Sequence, residues 1–165
     1  MPHIRIYHPA ERAFTDAKDR KGLADNITNM YTSSGIPAFY VIVHFIPVPS
    51  THVFVGGRNG NSDQGNADPS QPPMIRVNVD HIARAMATVE SQKYFFTRLD
   101  EALKPYIADK GYDWEYHMVE SPKEYGKVNG IYLPPIGGEV EQLWAKENRP
   151  SPYEGMEEPS PMNLV

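Results

Sequence analysis

The chain has 165 residues, 40% of them hydrophobic and 22% charged, with a net charge of −5, 16 prolines and no cysteine. Its length fits one domain that buries roughly two-thirds of its unfolded surface and needs no disulfide or metal staple. The missing cysteines exclude disulfides, a thiol nucleophile and thiolate metal sites, and the acidic balance argues against nucleic acid as a partner. No apolar run approaches 18 residues and no signal-peptide pattern opens the chain, so a cytoplasmic protein without a membrane span is expected.

In chain order, His3-Ile-Arg-Ile-Tyr7 alternates as a strand. Leu23, Ile27, Met30 and Tyr31 then recur on one face of a helix over roughly 15–34, with Thr15 as N-cap and Gly35 as stop. The run Phe39-Tyr-Val-Ile-Val-His-Phe-Ile46 reads as a buried strand, and His52-Val-Phe-Val-Gly56 as a shorter one. The polar stretch 58–73, ending in Pro72-Pro73, is a loop that divides the chain. Beyond it, Met74-Ile-Arg-Val-Asn-Val-Asp80 alternates as a strand, Phe95, Leu99, Ala102, Leu103 and Tyr106 mark a second amphipathic helix with Pro105 in its last turns, and Trp114-Glu-Tyr-His-Met-Val119 is another strand.

The order is therefore β-α-β, loop, β-α-β: an α/β two-layer fold, a four-stranded-plus sheet with two helices on one face and parallel pairing within each unit. A single domain over 2–148 is expected, with units 2–57 and 74–120, the loop 58–73 and a closing segment 121–148. An irregular proline-rich tail, 149–165, follows. The sheet face without helices would expose Tyr40, Ile42 and His44; a bare apolar face calls for a partner, so an oligomer is expected.

One proline stands apart from the rest. Methionine before a small residue is normally excised, which would leave Pro2 as a free secondary amine at the start of a strand, with its ring fixing φ. An α-amine has a reference pKa of roughly 7.7–8, and serves as a base when burial or cations lower it or as an acid when carboxylates raise it. The histidines lack metal-ligand spacing and no glycine-rich nucleotide motif occurs, so neither a metal nor a cofactor is expected.

The strand opening at Pro2, the two β-α-β units, Asn26-Ile-Thr-Asn, His52-Val-Phe-Val-Gly-Gly57, Asp80-His-Ile-Ala-Arg84, Trp114-Glu-Tyr116 and Asn129-Gly-Ile-Tyr-Leu-Pro-Pro135 together resemble the tautomerase superfamily. The group typified by cis-3-chloroacrylic acid dehalogenase is the most similar, over residues 2–148. That resemblance implies a homotrimer and a site in which an amino-terminal proline works with two arginines, a histidine, a tyrosine and a glutamate. Pro2 matches the amine, Arg84 the second arginine and Tyr116 the water-positioning tyrosine. His81 stands in the first arginine's place and Tyr31 in the histidine's. Glu124 matches the glutamate by its local triplet, although alignment on Leu133-Pro134 puts Val128 there instead.

These departures bear on chemistry. A His81–Arg84 pair carries less charge at neutral pH than two arginines, and it titrates. Hydration of a haloacrylate needs a strong acid and an activated water, whereas tautomerisation needs one base near pH 7 and a donor for the enolate oxygen. The expected function is therefore a cofactor-independent tautomerase acting through Pro2 on a small keto/enol or unsaturated carboxylate. The alternatives are a hydratase or hydrolytic dehalogenase using Glu124 and Tyr116, and a catalytically silent trimer that binds a ligand or partner.

Overall fold

The computed structural model describes residues 1–57 and 70–158. Within them the expected order of elements recurs: β1 (Pro2–Pro9), α1 (Ala17–Thr32), β2 (Ile42–Val48), β3 (Met74–His81), α2 (Val89–Leu103) and β4 (Asp113–Glu120). The four strands form one sheet in the order β2-β1-β3-β4. Each unit pairs its own strands in parallel, and β1 meets β3 antiparallel at the centre. The sheet with two helices on one face is the expected two-layer α/β architecture.

Strand alternation sets the core. Ile4 and Ile6 of β1 and Ile75, Val77 and Val79 of β3 point to the helical side and are fully or almost fully buried. Leu23, Ile27, Met30 and Tyr31 of α1 and Phe95, Leu99, Ala102 and Leu103 of α2 close over them, which are the two stripes legible in the sequence. Asp16, rather than Thr15, caps α1 by accepting the Lys18 amide. Gly35 follows at φ +78°, a conformation in which a side chain is strained. The helix α2 opens on a Thr88–Ser91 capping box, and Pro105 falls in the 3-10 turn after it.

Four expectations change. Phe39 and Tyr40 do not belong to the second strand; they form a 3-10 turn (Ala38–Tyr40) and pack on Trp144. Tyr40 is consequently only 3% exposed instead of lying on the open sheet face. The expected strand at 52–56 is absent: β2 runs on through Pro47 to Val48, Pro49 then leads into the 3-10 turn Ser50–His52, and Val55 makes an isolated bridge. The open sheet face is also more polar than expected. His3 lies against His44, Arg5 places Nη2 on both oxygens of Asp80 at 2.7–2.8 Å, and Arg76 reaches Glu115 and His117. Only Ile42 and Val119 present large exposed apolar side chains there. Most of the dividing loop, residues 58–69, and the last residues of the tail, 159–165, lie outside the described residues.

The closing segment contains a short hairpin, β5 (Lys127–Val128) with β6 (Ile131–Tyr132), and a third helix, α3 (Glu139–Glu147). Trp144 on α3 is fully buried, donates from Nε1 to the Ser151 carbonyl, and contacts Phe39, Tyr40 and Tyr153. The described part of the tail folds back on the same chain: Tyr153 donates to the Tyr132 carbonyl and the Tyr132 amide to that of Met156. Trp144→Ala is therefore expected to cost ~3–5 kcal/mol, read as a lower urea midpoint. A loss within the error of the measurement would mean that α3 does not anchor the fold.

Candidate active site

The antiparallel register puts Pro2 opposite His81, so the amino end of β1 lies against the carboxyl end of β3. The Met1 amine donates to the Ile82 carbonyl, and Pro2 itself is buried. Three of the side chains expected at the site converge here. Tyr31 comes from the last turn of α1 and donates from its hydroxyl to His81 Nδ1 at 3.2 Å. His81 in turn donates from Nε2 to the Arg84 carbonyl at 3.0 Å. Since a carbonyl only accepts, this bond fixes the tautomer and leaves Nδ1 as the acceptor for Tyr31. The Asp80 carboxylate is not a partner of His81, because alternation sends it to the opposite face, where it holds Arg5.

Arg84 projects from the loop after β3. Its Nη2 donates to the Ser34 carbonyl at 3.2 Å and to Glu141 Oε2 at 3.3 Å. Glu141, in the first turn of α3, is only 5% exposed and its Oε2 also accepts the Gly137 amide at 2.6 Å. Sequence reasoning missed this carboxylate. Its signal was the three-residue spacing to Trp144, which puts both on the buried face of a helix.

Tyr31, His81 and Arg84 share a cavity of ≈ 190 Å³ with Phe95, Met86 and Arg98, an apolar chamber with two cationic side chains in its wall. Arg98 was likewise unforeseen. A second, much smaller cavity lies across Ile36 and Ala83, which line both, and contains Glu141, Tyr40, Ile82 and Lys123. The Arg84–Glu141 ion pair joins the two.

Glu124 lies in the 3-10 turn Lys123–Tyr125, beyond the end of β4, where the Ser121 amide donates to the His81 carbonyl. This turn runs alongside the amino terminus: the Met1 Cε is 3.6 Å from the point a Cβ on Gly126 would occupy. Glu124 Oε1 stands 4.0 Å from Lys123 Nζ. Val128, the other alignment for that position, belongs to β5 and packs against the core. Tyr116 lies elsewhere. It faces Val77, four residues along β3 from His81, which is about 13 Å at the rise of a strand. Its hydroxyl donates to Asp100 Oδ1 at 2.8 Å and its ring stacks on Phe96. Among the described residues no group of His, Asp and Glu is arranged to hold a metal ion, and no helix is long and apolar enough to cross a membrane.

Burial dominates the electrostatics. It lowers the amine of Met1 from 8.0 to about 5, against an opposing pull from the Glu141 carboxylate. It also lowers His81, with the Arg84 carbonyl and Glu120 partly offsetting it, so that this ring is neutral at pH 7. The Tyr31 hydroxyl is pushed up by burial and remains a donor. A histidine held neutral in the fold takes up protons more readily when unfolded, so stability falls as pH drops below 6.5 and levels off once the folded ring also titrates. His81→Gln should flatten that decline in Tm; an unchanged slope would mean that His81 is not the titrating group.

A comparison with curated proteins gives no match. Among solved structures, native RhCC from Rhodococcus jostii RHA1 is 38% identical, with 92% of this chain and 99% of that chain covered and a TM-score of 0.79. A "probable enzyme" from the thermophilic fungus Aspergillus fumigatus is 35% identical, with 93% and 98% covered and a TM-score of 0.78. A fused 4-OT, described as a symmetric trimer, is 22% identical over 79% of this chain and 94% of that chain, with a TM-score of 0.57, a likeness of fold alone. The sequence profile of the family described as "Putative oxalocrotonate tautomerase enzyme" matches residues 1–149. With its β-α-β repeat, its proline at the head of β1 and this match along nearly all of its length, the chain belongs to that enzyme family, within the tautomerase superfamily.

Proposed function

We propose that the protein is a cofactor-independent tautomerase in which Pro2, freed by removal of Met1, moves a proton within a small keto/enol or unsaturated carboxylate. The observation that carries this reading is the burial of the amino terminus beside an arginine-lined apolar cavity. Burial lowers the Met1 amine, and Pro2, itself buried at the head of β1 opposite His81, would bring its freed nitrogen into the same corner. Such a group is an unprotonated secondary amine at neutral pH, the form a general base requires.

In this mechanism the Pro2 lone pair takes a proton beside the carbonyl, and the resulting ammonium returns it to the alternative carbon of the same substrate. No electrons leave the substrate and no water is consumed. Arg84 holds the carboxylate with the N–H donors that Glu141 and Ser34 do not occupy, since a guanidinium has five. Tyr31, tied to neutral His81, orients the wall of the cavity around the substrate, and donates to the developing enolate only when its single hydroxyl proton turns away from His81 Nδ1. His81 has both ring nitrogens engaged and contributes position rather than charge. Tyr116 enters only as a group that a neighbouring copy would receive across the edge strand β4. A homotrimer is proposed on that ground, together with the exposed Ile42 and Val119 on the open sheet face.

The hydratase or dehalogenase reading requires a protonated Pro2 at neutral pH with Glu124 activating water, and burial of the amine opposes it. The silent-binder reading requires neither. Intact mass should show the chain without Met1. The processed protein should then ketonise phenylenolpyruvate, and Pro2→Ala or a retained amino-terminal residue should lower kcat/KM by at least about a hundredfold, the scale of a lost general base. Equal turnover by Pro2→Ala would overturn the mechanism. Glu124-dependent water addition to a halogenated or acetylenic acid would favour the hydratase.

A further inference from the structure

We infer that Lys123 and Tyr40 form the second half of the anion-binding site: Lys123 supplies the cation that His81 does not, and the Tyr40 hydroxyl donates to a substrate oxygen. This rests on reading the site as one that acts at the amino terminus. It adds two substrate-facing groups to that reading.

The starting point is an unanswered hydrogen-bonding group. Tyr40 is only 3% exposed, and among the described residues its hydroxyl has no hydrogen-bond partner. Among the described residues Arg5 Nε is the only other such buried side-chain atom. An unpaired buried hydroxyl costs roughly 1–3 kcal/mol, so a fold that retains one at the edge of a cavity has left a donor for something else to meet. That cavity is the small one between Ile36 and Pro134, with Tyr40, Lys123 and Glu141 among its lining residues.

Lys123 is held there on weak terms. Its side chain is only 15% exposed, and its ammonium reaches the Pro134 carbonyl at 3.4 Å and Glu124 at 4.0 Å, both long for a charged donor. The opposite situation holds at His81, whose two nitrogens are committed and whose ring is neutral. Of the positions that could face an anion across the amino terminus from Arg84, Lys123 is the one with charge and with donors to spare.

Met1 borders this corner. With Met1 in place the cavity measures ≈ 10 Å³, about the room of a single water. The Met1 amine is bonded to Ile82, and its Cε lies 3.6 Å from the same Gly126 point that Leu133 Cδ1 approaches to 3.6 Å. Ile82 and Leu133 both line the cavity. Excision of that one residue therefore takes away an amine and a side chain that lie against residues bordering the Lys123–Tyr40 cavity. Glu141, bonded to Arg84 and lining the same wall, balances the added cation.

The test uses the processed protein, with phenylpyruvate as the probe. Binding is read by calorimetry in the Pro2→Ala background, where no turnover intrudes, and turnover of phenylenolpyruvate is read with Pro2 intact. Lys123→Met should raise both Kd and KM by at least about tenfold with kcat little changed, and Lys123→Arg should recover most of the loss. Tyr40→Phe should lower kcat by at least about tenfold while leaving Tm unchanged or higher, since it removes an orphaned group. A Kd unmoved by Lys123→Met, or full kcat in Tyr40→Phe, overturns the inference, as does a wild-type chain that binds no phenylpyruvate. Lys123-dependent binding without any turnover would uphold it and defeat the Pro2 mechanism instead.

Discussion

The antiparallel pairing of β1 with β3 is the constraint on which the rest of the molecule depends. Each β-α-β unit pairs its own strands in parallel, and only this central ladder joins the halves within the sheet. Its register sets Pro2 opposite His81 and lets the terminal amine bond to Ile82. A chain terminus is ordinarily frayed and solvated. Here it is the middle of a sheet, with Tyr31 from the first unit and Arg84 from the second arriving on either side. The Met1 amine is desolvated as a direct consequence of topology, and desolvation favours the uncharged form of an amine.

Charge at the site follows from the same packing. The buried ring of His81 is neutral because desolvation outweighs the pull of the Arg84 carbonyl and Glu120, and its hydrogen bonds to the Tyr31 hydroxyl and the Arg84 carbonyl are both met by the neutral form. Arg84 remains charged and is steadied by Glu141, a carboxylate that the fold buries only because the guanidinium and the Gly137 amide meet it. Losing Arg84 would strand that carboxylate, so the ion pair ties the loop after β3 to the docking of α3. The same helix carries Trp144, which pulls Tyr40 out of the sheet and into the wall of the small cavity. One short helix thus shapes both the anchor and the unpartnered hydroxyl.

Much of the fold was legible because periodicity reports burial. Leu23, Ile27, Met30 and Tyr31, and Phe95, Leu99, Ala102 and Leu103, lie where a 3.6-residue repeat puts them. What escaped was decided by distant contacts. Phe39 and Tyr40 have strand-like side chains, yet packing on Trp144 over a hundred residues away outweighs that propensity. The helix α3 is nine residues long, follows Pro134-Pro135 and Gly137-Gly138, and carries three glutamates, so nothing local marks it as core. Tyr31, His81 and Arg84, singled out by resemblance, line one cavity. Tyr116 does not join them within one protomer, because a strand side chain matches the motif locally whatever its position along the sheet. Lys123, Tyr40 and Glu141 come from two 3-10 turns and a helix start, and no spacing rule connects such elements.

All of this turns on the protonation state of one nitrogen. Titration of the Pro2 amine by ¹⁵N NMR in the chain lacking Met1 measures it directly. A midpoint clearly below the ordinary α-amine range of roughly 7.7–8 is the predicted result. A midpoint at or above that range would mean a nitrogen protonated at neutral pH, and would contradict the account of Pro2 as a base created by burial.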